Sequence, residues 1–209
     1  MICLFGGTFD PVHFGHLRCA LEVQQQLNIA CVHLLPVRTP PHREAPRLSP
    51  DQRLTLLQLA IAGEPALCID QRELQRDGPS YMVDTLASLR AEHPEQPLCL
   101  ALGMDAFGAL DSWHRWQEIG RLCHLVLMQR PGNEWPRQGA VADWADAARV
   151  DDAALLERQP AGYILSVPVT QLDISSTRIR AMLAAGRSPR YLVPEAVLER
   201  IQKENWYAS

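Results

Sequence analysis

Six short apolar runs recur along the chain, at residues 1–5, 31–35, 66–69, 98–102, 125–128 and 163–167. Each is bounded by glycine, proline or polar residues, and near-continuous runs of this length mark strands buried on both faces. Between them the apolar positions fall at helical spacing. Residues 15–27 carry Leu17, Ala20, Leu21 and Val23 in one register. Ser49, Pro50 and Gln52 supply a cap, a first-turn proline and the third residue of a capping box. The helix they begin runs to about residue 62, with Leu54, Leu57 and Ile61 inward. Ser80 reads as the cap of a helix whose core face holds Leu86 and Leu89. A short helix ends near Ile119, another begins at about residue 175 and stops near Gly186, and a last one follows Pro194 with Val197, Leu198 and Ile201 on one side. Residues 131–161 carry little pattern.

Strands alternating with helices predict an α/β fold, a Rossmann-like doubly wound parallel sheet with helices on both faces. A single domain over 1–209 accommodates this pattern, with the helical part 175–209 packed on the sheet. Ligands of such folds bind outside the carboxyl ends of the strands. The turn after the first strand, the loop after the second, Asp105 after the fourth and Ser175 to Arg180 after the last are therefore expected at one sheet edge.

Composition narrows the picture. Of 209 residues 47% are hydrophobic and the formal charge is −4, without a basic run, so binding to long nucleic acid is not expected. No stretch reaches membrane-spanning length and no signal peptide is visible, which predicts a soluble, cytoplasmic protein. The six cysteines form no Cys-x-x-Cys pair. Cys3, Cys31, Cys68 and Cys99 lie in apolar runs and read as buried free thiols, and no clustered zinc ligands are apparent. His33, alternating within the second strand, reads as a packed structural histidine. Self-association into a homo-oligomer is compatible with this composition.

The chemistry concentrates first at Gly6, Gly7 and Thr8, between a strand and a helix. That construction presents backbone N–H groups and a positive dipole end to a phosphate. His13 and His16, three residues apart at the helix entrance, point the same way, and Gly15 leaves room for a flat group between them. The loop 36–43 is stiffened by prolines and carries Arg38, His42 and Arg43. Asp105 is placed to accept from a ribose. Ser175, Ser176 and Thr177, with Arg180 one turn on, form a second anion site. Two such sites on one edge suit an extended triphosphate. A dehydrogenase would need Gly-x-Gly-x-x-Gly and an acidic residue after the second strand, and the P-loop lysine is missing too.

Gly6-Gly7-Thr8-Phe9-Asp10-Pro11 with His13-Phe14-Gly15-His16 resembles the first signature of the nucleotidylyltransferase superfamily. Ile174-Ser175-Ser176-Thr177 with Arg180 resembles its second. Pro40-Pro41-His42-Arg43, Tyr81-x-x-Asp84-Thr85-Leu86 and Gly103-Met104-Asp105 narrow the resemblance to nicotinate-nucleotide adenylyltransferases. The resemblance implies adenylyl transfer from ATP, with Mg²⁺, to nicotinate mononucleotide, giving deamido-NAD and pyrophosphate. It implies catalytic roles for His13, His16 and Arg43. ATP contacts would come from Gly6, Gly7, Thr8, Phe9, Gly15, Gly103, Asp105, Ile174, Ser175, Ser176, Thr177 and Arg180. The acceptor would meet Asp10, His42, Tyr81, Asp84, Thr85, Trp116 and Gln117, with Trp116 stacked on the pyridine ring. No protein ligand to the metal is implied, since phosphates and water hold Mg²⁺. Arg43 stands where many relatives have lysine, and Met82 or Val83 replaces a common threonine. The alternatives are a nicotinamide mononucleotide or phosphopantetheine acceptor, and a nucleotide-binding module without turnover.

Overall fold

The computed structural model describes residues 1–40, 45–129, 135, 138–170 and 172–208. In chain order its elements begin β1 (Ile2–Gly7), α1 (Phe14–Leu27), β2 (Val32–Pro36), α2 (Pro50–Ala60), β3 (Leu67–Ile69), α3 (Arg72–Gln75), α4 (Met82–Glu92) and β4 (Leu98–Gly103). They continue with α5 (Met104–Gly108), α6 (Trp116–Leu122), β5 (His124–Gln129), α7 (Ala140–Ala148), β6 (Arg149–Val150), β7 (Ile164–Pro168), α8 (Ser176–Ala184) and α9 (Glu195–Lys203).

Among the described residues the strands form one seven-stranded sheet in the order β3-β2-β1-β4-β5-β7-β6, every pairing parallel. Side chains alternate between its faces. Cys3, Val32, Leu34, Cys99, Ala101 and Val126 face one core, covered by Leu17, Ala20 and Val23 of α1, Leu56 and Leu57 of α2, Ile179 of α8, and Val197, Leu198 and Ile201 of α9. Leu4, Leu35, Leu100, Leu102, Leu125 and Leu127 face the other, under Leu86 and Leu89 of α4, Phe107 and Ile119. Each enclosed leucine contributes about 2 kcal/mol by leaving water. No helix among the described residues is long and apolar enough to cross a membrane.

The order in which strands are added reverses between β1 and β4, on whose two sides the chain builds the sheet outward, so their carboxyl ends leave a crevice at the topological switch point. The six expected strands are present. The seventh, β6, has two residues and lies in the stretch that carried little pattern, as does α7. The capping box of α2 forms as expected: Ser49 Oγ accepts from Gln52 N (3.2 Å) and Ser49 N donates to Gln52 Oε1 (2.9 Å).

Several details depart from the sequence reading. The buried residues of α2 are Arg53, Leu56 and Leu57, while Leu54 and Ile61 are half-buried. Tyr81, not Ser80, occupies the cap position of α4; buried Ser80 accepts from Arg38 N (3.3 Å) and Thr39 N (3.4 Å), tying the loop after β2 to α4. Four cysteines are free and buried, as expected for Cys3 and Cys99, but Cys31 and Cys68 form a disulfide with Cα atoms 6.2 Å apart. The register Val32↔Leu67 and His33↔Cys68 produces this meeting, which no spacing along the chain announces.

Candidate active site

At the end of β1 the chain turns sharply. Phe9 adopts a left-handed φ of 49°, and the Asp10–Pro11 bond is cis. The Phe9 ring folds back over Gly7, where an added Cβ would lie 2.8 Å from the ring, so the turn requires glycine there. His13 occupies the cap position of α1 and His16 its first turn. Their imidazoles stack with centroids 3.7 Å apart and planes 23° apart, and Phe9 meets His16 edge-on at 5.1 Å. His13 is buried at 5% exposure and His16 is half-buried. The flat group lying on Gly15 is the His13 ring itself, 3.0 Å from the position a Cβ would take. Two imidazoles thus stand at the positive end of a 14-residue helix.

The second signature docks onto the first. Ser175 caps α8 by accepting from Arg178 N (3.3 Å). Ser176 Oγ donates to Pro11 O (2.9 Å), and Arg180 Nη1 donates to Asp10 O (2.7 Å) while Nη2 reaches Thr177 Oγ1 (3.3 Å). Ile174 O lies 3.6 Å from where a Gly15 Cβ would stand. The two helix starts therefore adjoin, as expected, though the Ser175 and Ser176 hydroxyls are engaged and would leave anion binding there to backbone N–H groups. Glu22 of α1 holds the preceding segment by accepting from Thr170 N and Thr170 Oγ1, both at 2.6 Å.

Asp10, expected at the acceptor nucleotide, is turned into the protein at 3% exposure. Its carboxylate accepts from Arg47 N (2.8 Å), Leu48 N (3.3 Å) and Tyr207 Oη (2.6 Å), with Arg180 Nη1 3.8 Å from Oδ2. Burial, then the hydrogen bond to Asp10, raises the Tyr207 phenol well above its ordinary pKa, so it stays a donor. Beside this hub Arg53 is fully enclosed and donates to Thr8 O (2.8 Å), Leu48 O (3.3 Å) and Arg38 O (3.3 Å). It joins the glycine turn to both described ends of the loop after β2. His42 and Arg43 lie outside the described residues.

A cleft of about 440 Å³ opens at the β1/β4 crevice, a size suited to a small-molecule ligand. Gly6, Gly7 and Thr8 form one wall and Gly103 and Asp105 another, with Tyr81, Met82, Trp113 and His114 beyond. The Tyr81 and His114 rings lie 4.3 Å apart. Asp105 is exposed in the first turn of α5, where the sequence places it. Trp116, expected to stack on the pyridine ring, is half-buried with its ring 6.3 Å from that of Trp144, which covers Gly120 of α6, and Trp113 lines the cleft. Thr85 is fully buried, donating to Glu73 Oε1 (2.8 Å) and accepting from Arg76 Nη2 (3.1 Å). Asp84 pairs with Arg115 (3.3 Å), whose backbone caps α6 just before exposed Gln117.

Arg53, Glu73, His114 and Tyr207 were not singled out by sequence. Arg53 had a signal: a charge three and four positions before Leu56 and Leu57, on the helix's inward face. Glu73 also lines the cleft; burial, above all, raises its carboxyl pKa, and Oε2 has no partner among the described residues. Tyr207 gave none, since its partner Asp10 is 197 residues away.

The geometry agrees with the comparisons. A cytidylyltransferase-like family model matches residues 4–182. A Methylococcus capsulatus protein named "Probable nicotinate-nucleotide adenylyltransferase" is 48% identical over all of both chains. One of the same name from Halorhodospira halophila is 48% identical over 99% of this chain and 94% of its own. Among solved structures, Plasmodium falciparum nicotinic acid mononucleotide adenylyltransferase complexed with NaAD superposes with a TM-score of 0.74 at 16% identity, covering 99% of this chain and 96% of that one, and supports the fold. A glycine turn with paired histidines, a second helix start docked on it and full-length identity to these relatives lead to one conclusion: the chain belongs to the cytidylyltransferase-like family, among the nicotinate-nucleotide adenylyltransferases.

Proposed function

We propose that this protein transfers the adenylyl group of ATP to nicotinate mononucleotide, releasing pyrophosphate and forming deamido-NAD for NAD synthesis. The observation that carries the reading is the stacked His13–His16 pair at the start of α1, beside the start of α8 and the crevice between β1 and β4. An oxygen of the acceptor phosphate attacks the α-phosphorus as its bond to pyrophosphate breaks. Negative charge shifts to the non-bridging and leaving oxygens, so positioning and charge stabilisation suffice without a protein nucleophile. His13 and His16 donate to phosphate oxygens, and the first-turn amides of α1 and α8 add partial positive charge. Arg180, held by Asp10, offsets charge further along the triphosphate, and Arg43 is assigned the same work. Gly103 and Asp105 take the ribose side, while Tyr81, Trp113 and His114 wall the acceptor end.

Asp105 and enclosed Glu73 are the carboxylates lining the cleft, and Glu73 is engaged by Thr85. This donor set fits Mg²⁺ held mainly by phosphates and water. When bound, the ion would offset charge on the triphosphate. We assign the reaction to the cytoplasm, and a net charge of −4 favours small-molecule partners over nucleic acid.

The test is pyrophosphate release with Mg·ATP and, separately, nicotinate mononucleotide, nicotinamide mononucleotide and phosphopantetheine. Strong preference for the first is expected. His16→Ala should keep ATP binding and lose turnover by about 10²–10³-fold, the scale of removing one transition-state donor. Equal turnover would remove His16 from the mechanism. ATP binding without release on any acceptor would favour a binding module.

A further inference from the structure

At the far end of the sheet from the cleft, Cys31, His33 and Cys68 converge. His33 and Cys68 are register partners on adjacent parallel strands, so their side chains share a face, and Cys31, two residues before His33, shares it too. Cys31 Sγ lies 3.8 Å from His33 Nε2, and one ligand atom from each of the three residues falls within 4.8 Å of the others. All three are half-buried at the β2–β3 edge of the sheet. A tetrahedral zinc site with Zn–S about 2.3 Å and Zn–N about 2.0 Å separates its ligand atoms by about 3.5–3.8 Å. The cysteine–histidine distance of 3.8 Å lies within about 0.3 Å of the tetrahedral sulfur–nitrogen separation, and reduction frees the two sulfurs to part.

We propose that Cys31, His33 and Cys68, once the disulfide is reduced, form a thiol-gated Cys₂His site for zinc. Reduction by a dithiol transfers two electrons and two protons, opening Cys31–Cys68 to two thiols and leaving the reductant as its disulfide. Zn²⁺ then displaces both thiol protons, and two thiolates with one neutral imidazole bind it with no net charge. The neighbouring carboxylate, Asp70, is already held by Arg72 N (2.9 Å) and Arg72 Nε (2.8 Å), which leaves the fourth position to water. Disulfide and metal exclude one another, so the site reports thiol redox state. Cys31 precedes the carboxyl end of β2 by five residues, roughly 16 Å of strand, which separates the site from the cleft. The proposal does not depend on which acceptor the cleft takes.

The experiment uses the full chain, reduced or disulfide-bonded, titrated anaerobically with Zn²⁺ against a chromophoric chelator and with Co²⁺ as a spectroscopic probe. The reduced protein should take up about one zinc per chain, at least tenfold more tightly than the oxidised protein. The Co²⁺ form should show thiolate-to-metal charge transfer and intense tetrahedral d–d bands. His33→Asn should weaken binding about 10–100-fold, and Cys31→Ser with Cys68→Ser should abolish it while pyrophosphate release is retained. Bound zinc should also keep both thiols from reoxidising. Equal affinity in the two redox states, Co²⁺ spectra without thiolate charge transfer, or undiminished zinc binding in the double variant would each overturn the proposal. Comparing redox states of the unaltered chain keeps the test independent of how the variants fold.

Discussion

Replacing Arg53 by methionine tests whether one buried guanidinium shapes the phosphate turn. It keeps the length of the side chain and removes donors to Thr8 O, Leu48 O and Arg38 O. Loss of the 2.8 Å bond is worth about 1.5 kcal/mol and of the two 3.3 Å bonds about 1 kcal/mol each. Relief from burying a charge, which also lowers the Arg53 pKa, offsets part of that, so a net loss of about 2–3 kcal/mol is expected. For a chain of this size that is a fall in Tm of roughly 4–12 °C. Freeing Thr8 should also misplace the turn, and 1.4 kcal/mol of lost order there is about tenfold in kcat/KM. Arg53→Lys, which retains charge without the planar fork, should fall between. Calorimetry and pyrophosphate release on the same preparations measure both quantities. A methionine variant within about 1 °C of the parent, or one that is less stable yet equally active, would refute the argument that Arg53 couples fold and site.

Two further expectations concern polar groups that the sequence left unmarked. Glu73 has a raised carboxyl pKa in the folded chain, so it favours folding below the ordinary value of 4.5 and that contribution is lost as pH climbs through the raised one. Glu73→Gln should therefore flatten the decline of Tm between pH 4.5 and neutrality, and parallel curves for the two proteins would count against it. Tyr207→Phe removes the donor to Asp10 Oδ1 and should cost about 2 kcal/mol in denaturant unfolding; a loss below about 0.5 kcal/mol would show that Asp10 is held adequately by Arg47 and Leu48 N–H alone.

Local pattern determined a great deal of this protein. Apolar runs buried on both faces can only be parallel strands under helices, and the glycine turn, the capping box of α2 and the stop of α8 at Gly186 depend on neighbours within a few residues. Such features are written in the order of side chains because their partners are adjacent. His13, His16 and the residues from Ser175 to Arg180 were legible because each group sits on a single turn. Tertiary structure decided what happens between distant segments. It turned Asp10 toward Tyr207, buried Thr85 beneath Glu73, placed Trp113 on the cleft, and closed Cys31 onto Cys68. None of these follows from composition or period, since each is set by strand register or by which face of a helix the rest of the chain leaves open. β6 escaped for a simpler reason: two residues are too few to show alternation, and it is a strand because β7 offers it an edge.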